Sequence, residues 1–535
     1  MKQILLPFFV VGVSMGQTLD ISGERIHAHV RFLSSDLLEG RGPGTRGDAL
    51  ATEYLAAQFA LAGAKPAGDS ETYFQKVPLV GVETQADAQL WAAGKAKALA
   101  FRYLEDFVGS TQRQKSVETF EAEAVFAGHG IVAPEFQWDD FKGVDVKGKV
   151  LVLFTNEPPS TDEKFFGGRA LTYYGRWTYK FEQATRMGAL GAVIIHTTPT
   201  AGYGWDVVRA SWGREEPYVK LAAGEYALSF AGWLSMEAGE RLLALAGKTV
   251  DEMLKLADSR DFRPAPLGVR IRGRMPARIR DIETRNVAAI IPGSDAARKD
   301  EAVIFTAHWD HLGIGRPVNG DSIYNGAVDN ATGCGILLEI ARAWAMLEQK
   351  PRRSALFLAV TAEEGGLRGS TFYAQNPIVP PERTAVALNF DAFYPFGRTK
   401  DVVVDGAERT TLRPMVEEAA ARMQLVIKPD ARPEQGSFYR SDHFPLAKAG
   451  MPAFSIKMGD EFWGKPEGYG KKIFEEFNSK HYHQPSDEYR DDWDFAGIEH
   501  IARFGFVLGI SAANVEPLPA WQPGDEFSRA RESGR

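Results

Sequence analysis

Cysteine is almost missing from this sequence: Cys334 is the single thiol in 535 residues, so no disulfide can form within the chain even in an oxidising compartment. Its neighbours Ile336, Leu337 and Ile340 point to a packed, inert side chain rather than a nucleophile. No internal repeat, low-complexity tract or block of Lys and Arg is present either. With a net charge of -8, the chain lacks the basic footprint that a phosphate backbone demands, which excludes nucleic acid as a partner. Past the first residues no apolar run has the length of a membrane helix, so no integral membrane segment is expected in the mature protein.

What remains is ordinary globular composition, 44% hydrophobic and 25% charged, at a length that implies more than one domain. Met1 and Lys2, an apolar stretch over 4–13, and Ser14 and Gly16 around Met15 read as a cleavable signal peptide over 1–16, hence a secreted or periplasmic protein. Residues 21–67 have helical spacing, interrupted at 38–45 by glycines and a proline that predict an ordered loop before helix resumes at Asp48. Short β-like runs such as 150–154 and 192–195, with a helix over 181–191 between them, mark 78–266 as a separate β-rich module. From 267 to 515, the apolar runs 302–307, 355–361, 385–390 and 453–456 alternate with amphipathic helices such as the one bearing Ile336, Ile340 and Trp344. That is an α/β domain whose central strands are covered on both faces. The polar tail, 516–535, is expected to be loose.

Acidic and imidazole residues gather where those apolar runs end, the place where open α/β sheets collect ligands. His308 and Asp310 flank Trp309 after the first run. Alternate residues of an extended segment share a face, so Asp310 can accept the second ring N–H of a metal-bound His308, although a surface polar pair would read the same. Asp329 opens the helix of Cys334, where a helix cap would serve equally. Glu363 and Glu364 can divide metal binding and proton transfer between them; solvated loop charge is the plainer reading. Asp391 abuts an apolar strand and needs a partner, for which a cation is suitable. His481, Tyr482 and His483 share a turn-rich loop with Pro485 and Asp487. These residues form an N/O ligand set suited to zinc with open positions for water.

On His308-x-Asp310, the Asp329 segment, Glu363-Glu364, Asp391 and Tyr482-His483-x-Pro485, the chain resembles metallopeptidase family 28, the co-catalytic zinc aminopeptidases that also include glutamate carboxypeptidase and the transferrin receptor ectodomain. The resemblance implies an α/β fold with a mixed central sheet flanked by helices, and an inserted β-rich protease-associated domain over 78–266. The peptidase domain would then comprise 17–77 and 267–515. It further implies two Zn2+ ions per chain: Asp329 bridging both, His308 and Asp391 completing one site, Glu364 and His483 the other. Glu363 would be the general base, Asp310 would orient His308, Tyr482 would help polarise the carbonyl, and the bond from Asp329 to Asn330 would be cis. The loop from His308 to Asp329 is longer than in compact members, which bears on access rather than on metal binding.

The expected reaction is metal-assisted hydrolysis of a peptide substrate at its N-terminus. Glu363 and Asp391 could hold the α-ammonium. Trp309, Phe393, Tyr394 and Phe438 could shape an apolar pocket, with core packing the ordinary reading for each. A carboxypeptidase or dipeptidase of the same fold would need Arg368 or Arg440 near the metals. A metal-free binding protein and a one-zinc glutaminyl cyclase are also compatible with the architecture, the first disfavoured by the intact ligand set and the second by the inserted β-rich domain. Oligomeric state is not readable from the residues.

Overall fold

The computed structural model describes residues 20–201 and 204–533; the expected signal peptide lies outside them. Helix α1 (Gly23–Leu33) buries Ile26, Val30 and Leu33, the stripe that helical periodicity places on one face. Helix α2 (Arg46–Ala62) begins where the Thr45 hydroxyl accepts the Asp48 N–H and stops at Gly63, whose φ of 84° is a left-handed cap that glycine adopts without steric cost.

The strands that build the main sheet are β1 (Phe74–Thr84), β2 (Glu216–Val219), β3 (Ala265–Ile291), β4 (Ala302–His308), β5 (Ser354–Val360), β6 (Thr384–Phe390), β7 (Asp401–Asp405) and β8 (Ala453–Met458). Their spatial order is β2-β1-β3-β5-β4-β6-β8-β7. The four central strands β5, β4, β6 and β8 run parallel, and antiparallel strands flank them on both sides. This is the mixed α/β sheet expected.

β4 shows why its run is continuously apolar. Val303, Phe305 and Ala307 enter one core with α1, α2, α3 (Thr332–Ala345) and a C-terminal helix (Ala496–Asn514), while Ala302 and Ile304 enter the opposite core with Leu356, Leu358 and Tyr373. Side chains alternate across a strand, so burial on both faces requires apolar residues at every position.

Within residues 78–266, β2 and most of β1 belong to the main sheet, and Ile131, Trp138 and Tyr179 enter one of its cores, while much of the remainder builds a second lobe around two further cores. It contains helices as well as strands: Val150–Phe154, Gly191–Ile195 and Phe230–Leu234 are parallel neighbours, and Trp177–Arg186 packs beside them. The anticipated boundaries at 78 and 266 fall inside continuous strands. β1 pairs with β3 from Phe74 to Thr84, and β3 pairs in the second lobe through its first residues and in the main sheet through its last. One strand therefore belongs to both lobes, with no linker between them.

The tail differs from expectation. Trp521 and Phe527 are buried, and Arg409 pairs with Asp525 and Glu526 at 2.8 Å each while lying over the Phe527 ring. Two aromatic anchors dock a segment whose mean polarity suggested a loose end.

Trp344 is fully buried against Phe305 and Phe506. Trp344→Ala is expected to cost about 3–5 kcal/mol of unfolding free energy, read from the urea midpoint of the purified protein; an unmoved midpoint would refute the packing role.

Candidate metal centre

The carboxyl ends of β4, β5 and β6 deliver His308, the Glu363-Glu364 loop and Asp391 to one edge of the sheet. Asp329 arrives on the tight turn before α3, and His483 on the loop after the helix Tyr469–Lys480. His308 Nε2 lies 3.2 Å from Asp329 Oδ1 and 3.2 Å from Asp391 Oδ1. His483 Nε2 lies 3.3 Å from Asp329 Oδ2 and 3.1 Å from Glu364 Oε2. The two imidazoles thus approach different oxygens of one carboxylate. Five residues from segments far apart in sequence converge.

Asp329, Asp391 and His308 are held from behind. Asp487, fully buried, accepts the N–H groups of Val328 and Asp329 at 2.9 and 3.1 Å. Asn330 donates to the Phe390 carbonyl and accepts from Gly333 and Ala392, and the bond from Asp329 to Asn330 is cis. Ser441 donates to Asp391 Oδ2 at 2.5 Å and accepts from Asn389. Cys334 donates to the His308 carbonyl, and burial pushes its thiol up to about 12: it is packed and inert, as its neighbours implied.

Asp310 sits differently from the expected orienting contact. Its carboxylate stands 3.8 Å from His308 Nδ1 and accepts the Glu363 N–H at 3.1 Å, while its backbone carbonyl lies 3.2 Å from that ring nitrogen. Asp310 therefore links the strand end of β4 to the Glu363 loop. Tyr482 is half-exposed and stacks on His483 with ring centroids 3.8 Å apart. Trp309, Phe393 and Phe438 are core residues, and Tyr394 stacks on Phe474.

Sequence reasoning passed over three neighbours. His311, one residue beyond Asp310, is buried with Nδ1 2.7 Å from Glu364 Oε1. A buried imidazole and carboxylate this close can share a proton or a cation. Asp487 stood in the turn-rich loop of His483 without a role, and Arg41 in the glycine-rich segment 38–45. An arginine flanked by glycines was the available signal.

The electrostatics agree. Burial disfavours charge on every group here. On His308 the carboxylates of Asp391 and Glu363 overcome burial and hold the imidazole well above its usual range. On His483, burial is overcome by Glu364 and Asp329, and the ring is pushed up to about 10. Burial, with Asp391 and Glu364 close by, holds Glu363 well above the usual carboxylate range despite His308. Burial also pushes Asp310 up to about 8. A site crowded with acids seeks positive charge, and the geometry offers two overlapping ligand groups, His308-Asp329-Asp391 and His311-Asp329-Glu364, each with ligand atoms within 4.8 Å of one another. Imidazole and carboxylate together fit zinc.

Residues 286–505 match the model of peptidase family M28. The chain is 34% identical over 131 residues to Aminopeptidase NAALADL1 of Rattus norvegicus, an alignment covering 24% of this chain and 16% of that relative; the Mus musculus protein gives the same figures. The chain thus spans about a sixth of the length of these relatives. Among solved structures, an aminopeptidase from Aneurinibacillus sp. strain AM-1 shares the fold with a TM-score of 0.50 at 18% identity, over 94% of this chain and 97% of that one.

Because Glu364 and Asp329 hold the proton of His483 more tightly than usual, zinc binding there competes with that proton. Calorimetric zinc titrations at about pH 8, in buffers of different ionisation enthalpy, are expected to show net proton release, with affinity rising as pH rises towards about 10. Binding without proton release would contradict this charge balance.

Proposed function

We propose, from the premise that residues 286–505 belong to peptidase family M28, that this protein is a zinc aminopeptidase using two ions per chain to remove the N-terminal residue of peptides. The observation that carries the reading is the division of Asp329: one oxygen faces His308, the other His483. A carboxylate approached this way can bridge two ions, with Asp391 completing the first ligand group and Glu364 the second.

Bound zinc would supply Lewis acidity, polarising the scissile carbonyl and lowering the pKa of the attacking water. Glu363 then takes the proton from that water and delivers it to the leaving amine. Its raised proton affinity, from burial and the Asp391 and Glu364 charges, suits a group that accepts a proton from the attacking water and passes it on. The Asp310 carboxylate fixes the Glu363 backbone. Tyr482, stacked on His483, is assigned to the carbonyl oxygen, and Glu363 with Asp391 to the substrate α-ammonium.

Direction along the peptide follows from the rim. A carboxypeptidase needs a cation to grip the terminal carboxylate, and Arg368, one candidate, spends its Nε–H on the Pro217 carbonyl at 2.7 Å and lies 4.8 Å over the Tyr218 ring. That engagement with β2 favours the aminopeptidase reading. Pro217 also abuts Gly365 beside the two glutamates, which supports a role for the inserted region in shaping access to the site.

Purified protein is expected to hydrolyse aminoacyl anilides in a chelator-sensitive manner and to leave N-blocked dipeptides intact. Preference for the blocked dipeptides would reverse the assignment to a carboxypeptidase. Glu363→Gln should retain zinc by elemental analysis while kcat falls about 10²–10⁴-fold; full turnover in that variant would remove Glu363 from the role.

A further inference from the structure

The glycine-rich segment 38–45 is not absorbed by the chemistry above, yet it places a fully buried arginine beneath the centre. Arg41 is 1% exposed and reaches backbone carbonyls on three segments. Nε donates to Trp309 O at 2.7 Å, Nη1 to Leu33 O at 2.5 Å and Asn325 O at 2.6 Å, and Nη2 to Gly326 O at 2.9 Å. No carboxylate forms an ion pair with it among the described residues. Trp309 lies between His308 and Asp310, and Gly326 leads directly into the turn of Asp329. We infer that Arg41 is a positioning residue that locks the His308 strand end and the Asp329 turn at the separation metal binding needs. The inference rests on the metal-centre reading above and deepens it.

A guanidinium is planar and holds its N–H groups in a fixed fork, so carbonyls bonded to one guanidinium are fixed relative to each other. Charge assistance strengthens each of these bonds. The surrounding loop is moulded for the purpose. Gly40, at φ +68°, lies so close to the neighbouring backbone that a Cβ would stand 2.5 Å from Tyr324 O and 2.6 Å from Gly313 O. A Cβ on Gly42 would stand 3.2 Å from Gly313 Cα, a milder crowding, and Asn325 donates to Ser34 O and Asp36 Oδ1. Gly313 and Tyr324 are the two ends of the exposed hairpin formed by Gly313–Val318 and Asp321–Tyr324. The clamp thus closes the base of the long 308–329 loop, and the hairpin projects outside it. With the hairpin inserted between His308 and Asp329, Arg41 ties the two ends of the loop together beneath it, alongside the Cys334 bond to the His308 carbonyl.

Zinc affinity, apo-protein melting temperature and the visible spectrum of the cobalt-substituted protein are compared for the wild type, Arg41→Lys and Arg41→Met. A lysine keeps the charge but can reach only part of the carbonyl set. Arg41→Lys is expected to fold, with an apo melting temperature near that of the wild type, while zinc affinity falls about 10–100-fold and the cobalt bands shift; Arg41→Met should lose more. Zinc affinity within about twofold of the wild type in Arg41→Lys, with an unchanged cobalt spectrum, overturns the proposal. So does a lysine variant that fails to fold, which would make Arg41 a folding residue. Failure of the wild type itself to bind zinc would instead refute the metal-centre reading, so the two are separable.

Discussion

Everything at this site depends on keeping several carboxylates together inside a protein. Like charges within a few ångströms, shielded from bulk water, repel strongly and lose hydration. Only a compensating positive charge, tightly held geometry, or both make such a cluster tolerable. Asp329 is where the demands meet: it faces two imidazoles, and its backbone is pinned by the Asp487 carboxylate. Imidazole protonation answers the charge in the protein alone, and zinc answers it better because one ion serves several ligands at once.

The sheet supplies the rigidity. β4, β5 and β6 are parallel neighbours, buried on both faces, so their carboxyl ends are fixed relative to one another before any loop is considered. Residues that follow a buried strand inherit its precision, which is why His308, Glu363 and Asp391 need few contacts of their own. Asp329 and His483 have no strand to inherit from. Asp329 is held by the Asp487 carboxylate, which accepts its N–H, and by the neighbouring Asn330, which accepts the Gly333 N–H, while His483 lies within the tight turn from Gln484 N to His481 O.

This division explains what could be read from the residues alone. The strands were legible because burial on both faces forces unbroken apolar runs, and the residues at their ends were legible as polar departures from those runs. The docking of the tail was not, because Trp521 and Phe527 stand singly in a polar context and carry no periodicity. The sharing of β3 between lobes was hidden for the opposite reason: Pro266, Gly268, Gly273 and Pro276 read as breaks, yet the strand runs through them. His311 was obscured by proximity, since a motif that already contains a plausible ligand and its partner leaves a third polar residue looking redundant.

Arg41 illustrates a harder limit. Sequence patterns register side chains that seek complementary side chains, and an arginine normally advertises itself through an acid elsewhere. Here the hydrogen-bond partners are carbonyls, which every residue carries and no sequence distinguishes. There is a physical reason for that choice. Asp310 and Asp487 are buried beside the centre, and burial pushes them up to about 8 and about 7. One oxygen of Asp310 accepts the Glu363 N–H, and Asp487 accepts the N–H groups of Val328 and Asp329. A guanidinium paired face to face with either would pull it from that task. Bonded to neutral carbonyls instead, Arg41 still contributes its charge through space, where it eases the ionisation of Asp487, while its fixed fork spans three segments of the chain. Charge and geometry are thereby supplied by one residue without drawing a carboxylate away from the centre.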